Sequence, residues 1–143
     1  DFTEISYTTI NQIIEELGCI VPPSVSNEFI RSTMVFPVFD SVSGIKIDFI
    51  FSFSPYERTA ITRATVKELN GAPIRFAAIE DIIIHKIIAG RSRDIEDVSS
   101  LLLKNTKIEI EYIKKILLDF DNNFQENYLE RFLNVSSSIF PSR

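Results

Sequence analysis

The chain has 143 residues, 45% hydrophobic and 24% charged, a size and balance that suit one globular domain and argue against a repeat array or a disordered tail. Its 15 Lys+Arg against 20 Asp+Glu leave a formal net charge of -5, and no long basic run gathers positive charge, so non-specific duplex binding by phosphate neutralisation is excluded. A single cysteine, Cys19, and a single histidine, His85, exclude an intramolecular disulfide and a Cys-rich zinc site, and apolar runs such as Ile82 to Ile84 fall far short of the roughly 20 residues of a membrane span.

In chain order, Ile10, Ile13, Ile14 and Leu17 repeat at a helical period and Gly18 follows where a helix stops, which predicts a first helix over Thr8 to Leu17. After Pro22 and Pro23, a β-rich stretch from Phe29 to Phe39 is expected to form an antiparallel hairpin with Ile45 to Phe51. Alternation then places Ile45, Ile47, Phe49 and Phe51 on one face, and Lys46, Asp48, Ile50 and Ser52 on the other. A short helix or turn over Pro55 to Thr62 precedes a smaller hairpin, Thr65 to Leu69 and Pro73 to Phe76, around Asn70-Gly71. Helical patterns follow from Ala78 to Gly90, Asp94 to Leu103, Glu109 to Asp119 and about Asn123 to Leu133, with a Ser-rich tail from Ser136 expected to fray. Mixed strands first and helices last predict an α+β domain.

Three residues do not suit a plain core. On a helical wheel Ile79, Ile82, Ile83 and Ile87 form the expected buried arc, with Lys86 inside it and the Asp81 and His85 pair on the far, exposed side. Lys86 either covers apolar surface with its stem or aims a cation into a cleft, where it meets phosphate or carboxylate as a point charge. Asp94 falls on the apolar face of the next helix between Val98 and Leu101 and needs a partner, for which Lys86, Arg91 and Arg93 are the nearest candidates. Such a group is a structural staple, an ordered basic site for nucleotide phosphates, or both. Asp48 is a carboxylate in an otherwise apolar strand and is not a metal site by itself. No Walker-type lysine motif, dinucleotide glycine fingerprint, nucleophile elbow or zincin motif occurs.

The ordered set Ile45-Lys-Ile-Asp-Phe-Ile-Phe51, Ser54-Pro-Tyr-Glu57, Arg63, Ile79-Glu-Asp-Ile82 with Lys86, Arg91-Ser-Arg-Asp94 and Asp97-Val98 resembles the minimal nucleotidyltransferases of the DNA polymerase β-like fold, and more narrowly their AbiEii-like branch. The resemblance implies a nucleotidyltransferase-like α+β fold with a mixed or antiparallel sheet, flanking helices and a C-terminal helical segment. In that family a Gly-Ser or Gly-Gly turn and an Asp-x-Asp pair precede a third carboxylate. The resemblance implies that Asp48 is this third, catalytic and Mg²⁺-binding carboxylate, that Lys86 and Arg91 bind the nucleotide, and that Asp94 supports the site. Asp1-Phe2 stands where the second Asp of the pair is expected, which implies Asp1 as a further metal ligand.

No Gly-Ser turn and no Asp-x-Asp stand upstream of Asp48. The nucleotidyltransferase-like core, 1–104, is therefore expected to be N-terminally incomplete and inactive as it stands, with C-terminal helices over 105–143 packed on it. In complete form the domain is expected to move a nucleoside monophosphate from an NTP onto an RNA, protein or small-molecule acceptor. The AbiEii-like branch further implies a cytoplasmic toxin with an antitoxin or other protein partner. The alternatives are a non-catalytic module that binds a nucleotide or a protein partner, and a purely structural ionic cluster around Lys86.

Overall fold

The computed structural model describes residues 4–52 and 54–139. Its elements run α1 (Glu4–Glu16), β1 (Cys19–Ile20), α2 (Asn27–Thr33), β2 (Val35–Asp40), β3 (Lys46–Ile50), α3 (Pro55–Arg63), β4 (Thr65–Leu69), β5 (Ala72–Phe76), α4 (Ile79–Ala89), α5 (Ser92–Lys104), α6 (Ile110–Phe124) and α7 (Tyr128–Ile139). The fold is α+β, as the sequence predicts, and the chain divides into two compact units, Asp1–Glu57 and Arg58–Arg143.

In the first unit β2 lies between β1 and β3 and runs antiparallel to both. Phe36 pairs with Phe49 and Val38 with Ile47, and directly opposed residues share a face. That face packs with Ile14 of α1 and Ile30 of α2. The expected continuous strand from Phe29 is corrected, because Asn27–Thr33 is the helix α2. Ser26 caps it by accepting the Phe29 N–H at 3.1 Å, and the Thr33 hydroxyl returns to the Phe29 carbonyl at 2.8 Å. These local bonds satisfy the backbone before a strand partner can. Met34, left-handed at φ 56°, then ends the turn, and the sheet starts at Val35. The unit closes on a capping box: Glu57 N–H donates to Ser54 Oγ at 3.1 Å, and Ser54 N–H donates to Glu57 Oε2 at 2.9 Å. Ser54-Pro-Tyr-Glu57 thus starts α3.

In the second unit β4 and β5 form a two-stranded hairpin. Asn70 and Gly71 both have positive φ, the requirement of the tight turn that the Asn-Gly pair signals. Helices α4, α5, α6 and α7 pack together around Ile83, Ile84, Ile87, Val98, Leu102, Ile113, Leu117, Phe132 and Val135. Gly90 closes α4 at φ 63° by donating its N–H to the Lys86 carbonyl. A Cβ at this position would lie 2.6 Å from the Arg131 guanidinium, which donates to the Ile87 carbonyl at 2.6 Å. Glycine is favoured here for its backbone conformation, and it leaves room for the guanidinium.

Three boundaries of the C-terminal helices differ from expectation. Gln125, at φ 56°, stops α6 after Phe124, and the Asp121 carboxylate accepts the N–H groups of Tyr128 and Leu129 at 2.6 and 3.1 Å. The next helix therefore starts at Tyr128, not Asn123. It also continues into the segment expected to fray, as far as Ile139, with the hydroxyls of Ser136, Ser137 and Ser138 each returning to a carbonyl one turn back; residues 140–143 of that segment lie outside the described residues. Among the described residues, no helix is long and apolar enough to cross a membrane.

Candidate functional site: two ionic clusters on one helix and a strand carboxylate

The last turn of α4 carries Lys86, and the first turns of α5 bring Asp94 and Asp97 to it. Lys86 Nζ lies 3.3 Å from Asp94 Oδ1 and 2.6 Å from Asp97 Oδ2. The expected Lys86–Asp94 contact is thus present, and Asp97 joins it. The side chains are 26%, 16% and 46% exposed for Lys86, Asp94 and Asp97, so the ammonium sits at the margin of the helix pack with water in reach. Its hydrogen bond to Asp97 raises the Lys86 pKa above the ordinary lysine value; partial burial opposes this and the bond to Asp94 reinforces it. Asp97 is held below its usual range chiefly by the same bond. Asp94 Oδ2 is buried without a hydrogen-bond partner. Arg91, the α5 N-cap residue, is 83% exposed and places its Nε 4.0 Å from this oxygen. The structure therefore brings Lys86, Asp94 and Arg91 together at the α4–α5 turn, with one carboxylate oxygen unsatisfied.

The first turn of α4 corrects the sequence expectation. Asp81 is only 1% exposed and Glu80 is also buried, whereas Ile82 is exposed and Ile84 is fully buried. His85 is exposed as expected, but Asp81 does not share its surface. The buried face is turned by roughly 100°, one residue step, from the one the wheel selects. The reason is that α4 reads Ile-Glu-Asp-Ile-Ile-Ile-His-Lys-Ile-Ile-Ala, with isoleucine on nearly every side, so the apolar pattern alone scarcely distinguishes one face from the next.

A cation supplies the missing term. Arg63, at the end of α3, donates from Nε to Asp81 Oδ2 at 3.1 Å and from Nη2 to Glu80 Oε2 at 3.2 Å. Tyr112 of α6 donates its hydroxyl to Asp81 Oδ1 at 2.9 Å, and its ring lies under the Arg63 guanidinium, 4.0 Å from ring centre to Cζ. The remaining Glu80 oxygen accepts the Glu109 N–H at 3.1 Å. Burial first, and then the bond to Asp81, push the Tyr112 phenol up to about 12. Sequence reasoning missed this network because its members are 17 to 31 residues apart and no local pattern couples them. The signal that was present is a pair of acids in the first turn of an otherwise apolar helix, for which a buried carboxylate demands a donor.

Asp48 lies in β3 of the first unit, opposite Pro37 of β2, on the outward strand face that alternation predicts. Its side chain is 39% exposed and pairs with Lys46 at 2.9 Å. An Mg²⁺ ion held largely by phosphate oxygens takes one or two protein carboxylates; Asp48 has one to offer, with Lys46 Nζ at 2.9 and 3.0 Å from its two oxygens. Among the described residues, no group of three His, Cys, Asp or Glu side chains is arranged to hold a metal ion. The other expected ligand, Asp1, lies outside the described residues.

With the two α4 clusters and Asp48 placed, comparison with known proteins gives one finding. A family model described as a nucleotidyltransferase of unknown function (DUF6036) matches residues 39–138. No curated protein and no solved structure matches the chain. The matched span covers well over half of the sequence and contains β3 with Asp48, the Arg63 network and the Lys86 cluster, and on this ground the chain belongs to that nucleotidyltransferase family.

Proposed function

We propose that this domain takes part in the transfer of a nucleoside monophosphate from an NTP to an acceptor, with Asp48, Lys86 and Arg91 on the nucleotide side of the reaction and Asp94 as support. The observation that carries the reading is the family match, which spans all four residues. Lys86 suits a phosphate contact: it is a cation at neutral pH, as an ordinary lysine is, and two carboxylates from α5 hold its ammonium at the water-facing margin of the helices. An ammonium acts on phosphate as a point charge and needs no forked geometry. Arg91, exposed one residue before α5, adds a second cation. Asp48 would give one carboxylate to an Mg²⁺ ion held mainly by the triphosphate. Such an ion, when bound, neutralises charge on the phosphates and on the leaving pyrophosphate.

The acceptor is RNA, a protein or a small molecule, and the AbiEii-like resemblance supports a toxin held in check by an antitoxin, acting in the cytoplasm. The acidic balance of the chain favours a local contact around Lys86, Arg91 and Arg93 over a broad nucleic-acid footprint.

Calorimetry of the full-length protein with each NTP and Mg²⁺ tests the reading, alongside transfer of label from an α-labelled NTP. Asp48→Asn and Lys86→Ala are each expected to weaken nucleotide binding by roughly tenfold or more, the worth of a charge-assisted contact. Unchanged binding in both variants overturns the site assignment. Tight binding with no transfer to any acceptor turns the reading towards a nucleotide-binding module.

A further inference from the structure

Helix α4 has an unusual specification problem. Isoleucine at positions 79, 82, 83, 84, 87 and 88 surrounds most of its circumference, so a turn about its own axis exchanges one isoleucine for another at little apolar cost. Its N-cap, Ala78, makes no side-chain hydrogen bond and therefore does not fix the entry of the chain. Yet one rotation is adopted, with Ile84 buried and Ile82 exposed. The buried contacts that distinguish that rotation from its neighbours are polar and lie at the first turn: Arg63 to Glu80 and Asp81, Tyr112 to Asp81, and the Glu109 N–H to Glu80; the Lys86 pairs at the last turn are more exposed. A rotation by one residue would carry Asp81 away from both donors and leave buried charges unpaired. Buried ionic groups add little net stability over well-packed apolar ones, but they do penalise wrong registers.

Lys86 stands on the same rigid helix about 7.5 Å further along the axis, five residues at 1.5 Å each. The rotation that satisfies Arg63 also decides whether Lys86 faces Asp94 and Asp97 of α5. We infer that Arg63 is a positioning residue for Lys86: by gripping Glu80 and Asp81 against Tyr112, it fixes the rotation of α4 and thereby the direction in which the Lys86 ammonium is presented. Arg63 does not need to touch a nucleotide to do this. Arginine is suited to the task because its planar fork engages two carboxylates in fixed directions, whereas a lysine at position 63 supplies the charge without the direction.

The test uses Arg63→Lys and Tyr112→Phe in the full-length protein and has two readouts. The first is the side-chain resonance of Lys86, assigned by its loss in Lys86→Arg and followed through an alkaline titration. The bonds to Asp97 and Asp94 hold it above the ordinary lysine value in the native protein, and Arg63→Lys is expected to move it down. Tyr112→Phe, which removes one hydroxyl and leaves the ring, is expected to give a smaller shift in the same direction and serves if Arg63→Lys does not fold. An unchanged Lys86 titration in the folded variants overturns the inference.

The second readout is a double-mutant cycle on NTP affinity, and it rests on the proposed nucleotide role of Lys86. Arg63→Lys is expected to weaken binding roughly three- to thirty-fold in the native background, the usual range for coupling through a packed element, and to have no further effect in Lys86→Met. Losses that simply multiply overturn the positioning role. If Lys86→Met alone leaves NTP affinity unchanged, the nucleotide role of Lys86 fails, while the resonance still decides whether Arg63 positions it.

Discussion

The two ends of α4 each set a cation, Arg63 or Lys86, against a pair of carboxylates, and they differ in burial and in satisfaction. At the first turn, Glu80 and Asp81 are buried and all four of their carboxylate oxygens are hydrogen-bonded. At the last turn, Lys86 meets one carboxylate that is nearly half exposed and another with an orphan oxygen. The difference teaches that similar ionic triads can divide labour along a single helix. A closed, satisfied cluster is expensive to open and fixes geometry; an open one is cheap to rearrange and leaves its cation available to a ligand.

The largest expected effect comes from breaking the closed end. Asp81→Ala leaves Arg63 Nε and the Tyr112 hydroxyl without the acceptor described above, while Glu80 still holds Arg63 Nη2, and it is expected to cost about 3 kcal/mol, the lower end for buried pairs that lose one partner. Urea denaturation followed by circular dichroism measures it. A loss below about 1 kcal/mol would mean that the first-turn cluster does not hold α4, and the contrast between the two ends would disappear.

A smaller effect is expected from pH at the same end. The folded-state pKa of Tyr112, about 12, lies above the ordinary value of 10.0, so the fold favours the neutral phenol. The stability from this group is fully present below pH 10 and is lost as pH rises from 10 towards 12, with a total of the order of 2 kcal/mol. The raised pKa of Lys86 has the same sign and acts above 10.5. Tyr112→Phe separates the two: the variant starts lower at pH 7 by about one hydrogen bond and then declines less steeply between pH 10 and 12. Parallel stability curves for the two proteins would place the alkaline loss elsewhere.

What the sequence reveals of these elements depends on how local their causes are. The outward face of Asp48 follows from a period-two pattern, the β4–β5 turn from Asn70-Gly71, and the Lys86–Asp94 contact from two charged residues on apolar faces either side of Gly90. Each of these causes lies within a few residues. The rotation of α4 has no such local cause, because its isoleucines leave the face open and the deciding donors come from α3 and α6. Helix α2 is hidden for a different reason: Phe29, Ile30, Val35 and Phe36 read as one β-rich run, and only the hydrogen bonds of Ser26, Ser32 and Thr33 divide helix from strand. Asp97 was legible only as part of a family pattern, since one turn beyond Asp94 it lies on a half-exposed surface where a carboxylate needs no explanation.

The smallest effect on stability is expected at the open end. A closed salt-bridge cluster would make Asp94→Ala as costly as Asp81→Ala, because a buried charge would lose its partner. The geometry says otherwise. Lys86 keeps its shorter contact, 2.6 Å to Asp97, and retains access to water. The substitution also removes Asp94 Oδ2, a buried acceptor with no hydrogen bond, whose desolvation already opposes folding. The lost contact and the relieved penalty oppose each other, so the net cost is expected to be about 1 kcal/mol or less, read from the same denaturation curves. NTP affinity, by contrast, should change, because a Lys86 held by Asp97 alone points its ammonium differently. A loss in Asp94→Ala as large as that in Asp81→Ala would show that both ends of α4 serve stability alike, and would take away the structural ground for treating Lys86 as a cation held ready for phosphate.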